Sequence, residues 1–276
     1  MFGRQLDLFS AAGLPVADAT AAPTDPPRLV PSNLDDAALV AALPEARVAD
    51  CRVLCEEAGR RRLIAAIPAL EALCRRFKGF GLEHRVPEQI AALHGLAAIG
   101  SREAAASVSR IIADNVVQGP ALHDAVQAAV VLKCRFPPAV SLSLLRHNDP
   151  RVRAAACQCI RPHADITPLL VDLLDDLHGL VAVAAACALG RAGRTEAVPI
   201  LARLLRQEPT AEVIDAISSL ADEDCIVQLG RIARTDPALS TAAMDALEAI
   251  DSPRAQAIAK TVRDAGPVRK AESRPG

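Results

Sequence analysis

The stretch LVAVAAACALGRAGRTEAVPILARLL, residues 180–205, decides the fold of this chain of 276 residues. It contains two segments in which apolar residues recur at intervals of three and four, the spacing of an amphipathic helix. A glycine and a charged turn separate the segments, and a proline stands near the start of the second. The stretch therefore predicts two helices joined by a short turn. The two apolar sets are Val181, Ala184, Ala185, Ala188 and Leu189, and Ala197, Ile200, Leu201, Leu204 and Leu205.

Copies of these two segments alternate along the chain at intervals of about thirty residues, the length of a short helical repeat. A single hairpin of this kind cannot bury its apolar face, and stacked neighbours supply the missing surface. The pattern therefore predicts an all-α fold, a right-handed α-solenoid of about seven helical hairpins over residues 32–264. Further copies of the first segment start at Leu122, Val152, Val213 and Leu239, and copies of the second start at Ala104, Pro137, Ile166, Cys225 and Ala255.

Two stretches, DPRVRAAACQCI at residues 149–160 and the opening stretch at 180–205, resemble the short two-helix form of HEAT-like repeats. In that family an Asp-x-x-Val-Arg sequence opens the first helix, Leu-Gly closes it, and a leucine helix that begins with proline follows. The resemblance covers residues 45–264 and implies an interaction protein with long binding surfaces. The valine-arginine opening is clear only at residues 152–153, and the Leu-Gly ending only at residues 189–190. An insert, KGFGLEHRVPEQ at residues 78–89, follows the first unit.

Composition and charge describe a chain with much apolar material and no general attraction for polyanions. Apolar residues make up 51% and the formal net charge is −2, so a nucleic-acid role needs a local patch. The eight cysteines lie within helical patterns and no secretory signal is visible, so we expect a cytoplasmic protein in a reducing compartment. Charged residues and prolines interrupt every long apolar run, and we expect no membrane span and no membrane partner.

The chain begins with a segment that does not share the helical pattern. Residues 10–31 contain five prolines and no recurring apolar face, so we expect a disordered linker there. We also expect residues 265–276 to be a disordered C-terminal tail. Residues 1–9 carry large apolar side chains that a solvated tail does not need, and we interpret them as a docking motif for another protein.

The motif is QLDLF, which resembles the pentapeptide by which many bacterial proteins dock on the replicative sliding clamp. The resemblance implies that Gln5 hydrogen-bonds at the mouth of a pocket, Leu6 fills a shallow apolar depression and Asp7 faces outward. It also implies that Leu8 and Phe9 enter the deeper part of the pocket. The alternative is that these apolar residues fold back as a cap over one end of the solenoid, or form a short helix.

Basic residues are concentrated in the first repeats. Residues 47–110 hold eleven Lys and Arg against seven Asp and Glu, whereas residues 170–230 hold four against ten. This polarity favours contact with phosphate near the N-terminal repeats, with duplex DNA as a candidate partner. The alternative is that the clusters are solvated faces of helices. The candidate phosphate contacts are Arg60, Arg61, Arg62, Arg75, Arg76 and Lys78.

Cysteine and histidine do not form a recognisable metal site. Cys51 and Cys55 lie one helical turn apart, and Cys157 and Cys159 lie near His163 in the sequence. Tetrahedral zinc needs four ligands, however, and no two Cys-x-x-Cys motifs are present. We interpret the cysteines as small buried hydrophobic residues, and we expect no metal and no cofactor.

We expect no catalysis. The acidic runs at residues 175–176 and 222–224 are expected at helix ends, where carboxylates cap the next helix. HEAT-like alkylpurine glycosylases use a carboxylate with Trp and Tyr around the lesion, and this chain has no Trp and no Tyr. A glycine-rich phosphate loop and a nucleophile elbow are missing from the sequence as well.

The sequence as a whole indicates a non-catalytic adaptor that docks on the bacterial sliding clamp through QLDLF. Its solenoid would hold a second, unidentified protein, or duplex DNA, at a site of replication or repair. Two alternatives stay open. One is a DNA-lesion-binding or glycosylase-like HEAT-repeat protein, and the other is a general protein scaffold unrelated to replication.

Overall fold

The computed structural model describes residues 30–160 and 163–265, and the regular structure of this part of the chain is helical throughout. Short 3-10 turns precede or follow several of its fifteen α-helices. None of the described helices is long and apolar enough to cross a membrane. The helices are α1 (Asp36–Ala42), α2 (Val48–Arg60), α3 (Ile67–Arg76), α4 (Pro87–Ile99), α5 (Arg102–Ala113), α6 (Leu122–Val131), α7 (Pro138–Leu145), α8 (Pro150–Cys159), α9 (Thr167–Asp172), α10 (Gly179–Arg191), α11 (Val198–Gln207), α12 (Ala211–Ile217), α13 (Glu223–Thr235), α14 (Ser240–Ala249) and α15 (Pro253–Ala265).

The helices after α1 pair into seven consecutive hairpins. Hairpin 1 consists of α2 and α3, hairpin 2 of α4 and α5, and so on to hairpin 7, which consists of α14 and α15. Each first helix packs against the first helix of the next hairpin, and each second helix also packs against that same helix. This stacking is the α-solenoid that the repeated pattern predicts, and the predicted fold class is confirmed.

The stacking places two kinds of connection at opposite edges of the array. Intra-hairpin turns join the two helices of one hairpin, and inter-hairpin loops join one hairpin to the next. Neighbouring first helices run parallel, since Gly59 near the end of α2 lies against Ala98 near the end of α4. The intra-hairpin turns therefore follow one edge of the solenoid and the inter-hairpin loops follow the other.

The first helices approach one another closely because their contact positions hold small residues. In α10 every residue from Ala184 to Gly190 is buried, so this helix contacts neighbours on all sides. A Cβ atom on Gly190 would lie 2.5 Å from the carbonyl oxygen of Ala216 in α12. Alanine and glycine thus allow the helix backbones to reach a separation that larger side chains would prevent.

Helix ends lie where the sequence supplies caps. The side-chain oxygens of Asp35, Ser101, Thr210 and Asp222 each accept a hydrogen bond from a backbone N–H three residues further on. The expectation that the acidic run at residues 222–224 caps a helix is therefore confirmed at Asp222. Prolines begin α4, α7, α8 and α15, since the first helical position needs no N–H donor.

An ion pair links hairpins 4 and 5 at the position of the valine-arginine motif. The Arg153 guanidinium donates to both carboxylate oxygens of Asp176, at 2.9 and 3.0 Å, and to the carbonyl oxygens of His147 and Asn148. Burial opposes the charge of Asp176, but hydrogen bonds from Arg153 and His178 outweigh it and keep the pKa of this carboxyl below its ordinary value. Arg153 therefore joins α8 to the loop that precedes α10.

The insert at residues 78–89 is shorter in the structure than the sequence predicts. Its last three residues form the first turn of α4, because proline suits the first helical position. Buried Gln89 anchors the rest, since its Nε2 donates to the carbonyl oxygens of Cys74, Phe77 and Val116 at 3.0, 3.3 and 3.2 Å. Its Oε1 is buried without a hydrogen-bond partner in the described part of the chain. One buried amide thus holds hairpins 1 and 2 and the insert together.

Candidate functional site

The structure separates the candidate phosphate contacts into two groups. Residues 60–62 end α2 and lie at the intra-hairpin turn, whereas Arg75, Arg76 and Lys78 end α3 and lie at the inter-hairpin loop. The two helices of a hairpin run in opposite directions, and α3 is about 15 Å long at 1.5 Å per residue. The two groups therefore lie at opposite edges of the array and do not form one patch.

Arg61 is a structural residue of hairpin 1. Only 19% of its side chain is exposed, and it donates to Glu57 at 2.7 Å and to Asp36 at 2.9 Å. Arg60 pairs with the same Glu57 carboxylate at 2.7 Å. Hydrogen bonds from Arg60 and Arg61 lower the pKa of Glu57 to about 2. The two arginines therefore fix the end of α2, and Arg61 also ties α1 to it.

The second group of cations is also engaged in ion pairs. The Glu71 carboxylate of α3 accepts hydrogen bonds from Arg75 at 2.9 Å, from Arg110 of α5 at 2.6 Å and from Ser107 Oγ at 2.8 Å. Burial is the largest influence on Glu71 and favours its neutral form, but these donors together outweigh it and lower its pKa to about 2. Arg75 also pairs with Asp114 at 2.8 Å. The network joins the second helices of hairpins 1 and 2.

Arg76 has hydrogen-bond partners, whereas Lys78 has none in the described part of the chain. Arg76 donates to the carbonyl oxygens of Pro44 and Ala46, and its guanidinium lies 5.2 Å from the centre of the Phe77 ring. Lys78 is exposed in the loop that follows α3. Among residues 30–160 and 163–265, only Arg62 and Lys78 of the six candidates have side chains without an ion-pair or hydrogen-bond partner.

The Glu71 network predicts a specific sensitivity to acid. Because the folded pKa of Glu71 is lowered, the stability that this carboxylate contributes is present above its ordinary pKa of 4.5 and is lost as the pH falls towards about 2. We expect Glu71→Gln to lower the free energy of unfolding by about 1–3 kcal/mol at neutral pH, and by much less near pH 2. Urea unfolding at several pH values measures both differences.

The matched control is Glu56→Gln, which removes an ion pair with Arg52 whose side chains are 55% and 80% exposed. Exposed pairs contribute about 0–1 kcal/mol, so this change should have little effect at any pH. Equal pH dependence of the Glu71→Gln variant and the unaltered protein would contradict the assigned network.

An exposed apolar loop was missed by the sequence reasoning. Within the insert, Phe80 and Leu82 are 72% and 64% exposed. Phe80 packs edge-on against Phe77 with ring centres 6.4 Å apart, which fixes the start of the loop. The signal was present in the sequence, because the insert interrupts the repeat and contains apolar residues that no helical face requires. An exposed apolar loop on a rigid array is typical of a contact surface.

An open groove of about 620 Å³ lies between hairpins 4 and 5. It is open to solvent, its wall contains both apolar and polar side chains, and Arg194 pairs with Glu196 in that wall at 2.6 Å. His163 lines it, whereas Cys157, which the sequence places near His163, is buried in α8. The groove is lined by His163, Ala164, Thr167, Pro168, Val171, Asp172, Ala192, Arg194 and Glu196.

The cysteines lie where the sequence predicts. Cys159 is partly exposed, and the other seven are buried. Burial is the main cause that raises the pKa of Cys74 and of Cys157 to about 12, so these thiols stay protonated at neutral pH. Within residues 30–160 and 163–265, no three His, Cys, Asp or Glu side chains gather as metal ligands. The interpretation of the cysteines as buried hydrophobic residues is confirmed for these seven.

The residues assigned to clamp docking lie outside the part of the chain that the structure describes. The same holds for the linker from residue 10 to residue 29 and for the C-terminal tail from residue 266. At the borders of the described part, a 3-10 turn covers Pro31–Asn33 and α15 ends at Ala265. The docking residues are Gln5, Leu6, Asp7, Leu8 and Phe9.

A family model described as HEAT repeats matches residues 138–221, which run from the start of α7 past the end of α12. No curated protein matches the chain. The matched residues include both stretches that carry the sequence resemblance, at residues 149–160 and 180–205.

Proposed function

We propose that the chain, a HEAT-like repeat protein, is a non-catalytic adaptor that docks on the bacterial replicative sliding clamp. Its solenoid would hold a second protein at a site of replication or repair in the cytoplasm, as HEAT repeats favour protein partners. The observation that carries this proposal is the pentapeptide QLDLF at residues 5–9, each position of which matches the docking pattern.

The position of the pentapeptide supports this function. The 21 residues from Ser10 to Val30 separate it from the helical array, and their proline-rich composition favours an extended linker. Such a linker spans about 25 Å on average, which allows the motif to enter a pocket on another molecule while the solenoid stays outside. Tethering then keeps whatever the solenoid holds at a raised effective concentration beside the clamp.

The expected strength of docking follows from the apolar side chains of the motif. Burial of a leucine or phenylalanine side chain contributes about 1.5–3 kcal/mol, and part of the total is offset by the cost of ordering the tail. Three such side chains, Leu6, Leu8 and Phe9, therefore support a micromolar complex. An adaptor with this affinity can bind and leave the clamp repeatedly.

Contact with DNA phosphate through the six predicted basic residues is a narrower proposal. Four of the six side chains are already held by ion pairs or hydrogen bonds, namely Arg60, Arg61, Arg75 and Arg76. Arg62 is therefore the cation at the intra-hairpin edge that is best placed to contact phosphate. Lys78 is the best-placed cation at the opposite edge.

Titration of a purified bacterial sliding clamp with a labelled peptide of residues 1–12 tests whether the motif is sufficient. We expect saturable binding in the micromolar range, and loss of binding for the Leu8→Ala/Phe9→Ala peptide. The Asp7→Ala peptide is the control, because Asp7 is assigned an outward position and its loss should change affinity by less than about threefold. A peptide that fails to bind, or whose binding survives the double change, would reject docking.

A further inference from the structure

Four basic side chains follow the intra-hairpin edge of hairpins 1 to 3. Arg62 lies in the turn after α2, Arg102 begins α5, and Lys133 and Arg135 lie in the turn after α6. All four are exposed, and none forms an ion pair within the described ranges of the chain. We call these four residues the cationic row.

The backbone at two of these residues is unusual. Arg62 and Lys133 have φ values of +50° and +53°, in the left-handed region that favours glycine. The two turns are closed by the same kind of hydrogen bond. Leu63 N–H donates to the carbonyl oxygen of Ala58 at 3.0 Å, and Cys134 N–H donates to that of Ala129 at 2.9 Å. The equivalent turn after α10 holds glycine there, and Arg194 N–H donates to the carbonyl oxygen of Leu189 in the same way, at 3.0 Å.

This glycine is Gly193, which has a φ of +70°. A Cβ atom at Gly193 would have no neighbour within 4 Å. The turn is therefore open to solvent, and packing does not require any particular side chain at this position. Glycine would therefore relieve the strain in hairpins 1 and 3 without any loss of packing. A cation held in a strained conformation at an open turn is typical of a functional position.

Contacts between neighbouring hairpins bring the four residues into one row. Gly59, three residues before Arg62, lies against Ala98 at the end of α4. Cys134, which follows Lys133, donates from its Sγ to the carbonyl oxygen of Ala105 in the first turn of α5, at 3.3 Å. Packed helices lie about 8–10 Å apart, so two steps along the array give a row of roughly 20 Å.

Charge along the rest of the array sets the limits of the row. On the same edge, Glu103 is the acidic neighbour of Arg102, and the four cations outnumber it. In hairpin 5 Arg194 is paired with Glu196, and hairpin 6 carries the acidic run at residues 222–224 instead. Arginine and lysine side chains without an ion-pair partner are therefore confined, on this edge and among the residues described, to hairpins 1 to 3, since Arg191, Arg194 and Arg254 are all paired.

From this arrangement we infer that the intra-hairpin edge of hairpins 1 to 3 binds the phosphate backbone of duplex DNA. An extended row of cations fits a long polyanion, and its length equals the rise of about six base pairs. Single-stranded nucleic acid is a poorer fit, because single strands are held by stacking on several aromatic rings, and the intra-hairpin turns of hairpins 1 to 3 contain a single, partly buried one, Phe136. Base-specific readout is not expected from contacts to phosphate alone.

This inference is independent of clamp docking, since its residues lie in the array and its test contains no clamp. The full chain is titrated against a labelled duplex of about 20 base pairs of arbitrary sequence between about 50 and 200 mM NaCl, and anisotropy reports binding. We expect log K to fall with log salt concentration at a slope of about −3 to −4, since each neutralised phosphate contributes about −0.9.

The decisive variant is Arg62→Gly/Lys133→Gly, which removes two charges and also the backbone strain. We expect it to melt at or above the temperature of the unaltered chain, yet to bind the duplex about tenfold more weakly with a slope smaller by about 2. The control, Arg203→Ala/Arg231→Ala, removes two exposed charges from α11 and α13 and should leave both quantities nearly unchanged.

Three outcomes would overturn the assignment. The first is no duplex binding at low salt, and the second is equal weakening by the two double variants. The third is equally effective competition by polyglutamate of matched charge, which would show a surface that attracts any polyanion, acidic protein segments included.

Discussion

Replacement of Gly190 by alanine is expected to lower the free energy of unfolding by about 2–3 kcal/mol. The added Cβ would lie 2.5 Å from the carbonyl oxygen of Ala216 and 2.6 Å from Leu201 Cδ1. A side chain can rotate away, but the backbone carbonyl can move only if α12 shifts relative to α10. For a chain of this size the melting temperature should fall by roughly 5–10 °C, which calorimetry or circular dichroism measures.

Gly179→Ala is the matched control for this change. Gly179 begins the same helix, and a Cβ there would have no neighbour within 4 Å. Alanine at this position reduces the freedom of the unfolded chain and should leave stability unchanged or slightly raised. If both variants melted alike, the close approach of α10 and α12 would be wrong, and with it the stacking of hairpins 5 and 6.

Periodicity predicted the helices well because each repeat buries the same face against its neighbours. The segments that start at Val181 and Val213 are α10 and α12, and those that start at Ala197 and Cys225 are α11 and α13. Local spacing suffices here, since every hairpin faces similar neighbours on both sides. The Leu-Gly ending at residues 189–190 also has a visible cause, because only glycine allows α12 to approach α10 so closely.

The predicted phosphate contacts show what local reading leaves out. Charge counts grouped Arg61 and Arg75 in one cationic region, yet the hairpin places the ends of α2 and α3 at opposite edges. Each of these arginines pairs with a glutamate on its own helix and also with a residue far away in the sequence, as with Arg75 and Asp114, 39 residues apart. Neither the separation nor the long-range pairs follow from composition, because both depend on which helices pack together.

The strained turns were hidden for a related reason. Glycine normally marks a left-handed turn, so Arg62 and Lys133 gave no turn signal when the sequence was read residue by residue. Alignment of the repeats on one another places both at the position of Gly193, and this comparison could have been made from the sequence alone.

The largest effect is expected from Leu8→Ala/Phe9→Ala in the full chain, measured against the sliding clamp. Each truncation removes about 1.5–3 kcal/mol of apolar burial, so the double change should weaken binding at least about a hundredfold. Both residues lie outside the described helical array, and we expect the melting temperature to stay unchanged. A loss of binding without a loss of stability would separate docking from folding.

The most direct test of the adaptor function is the dissociation constant of the full chain and the clamp, measured by calorimetry for three proteins. They are the unaltered chain, the Leu8→Ala/Phe9→Ala variant and a Leu14→Ala control in the linker. Micromolar binding by the first and third, with none detectable for the double variant, is the result that clamp docking predicts. Equal affinity for all three, or no binding by the unaltered chain, would contradict it.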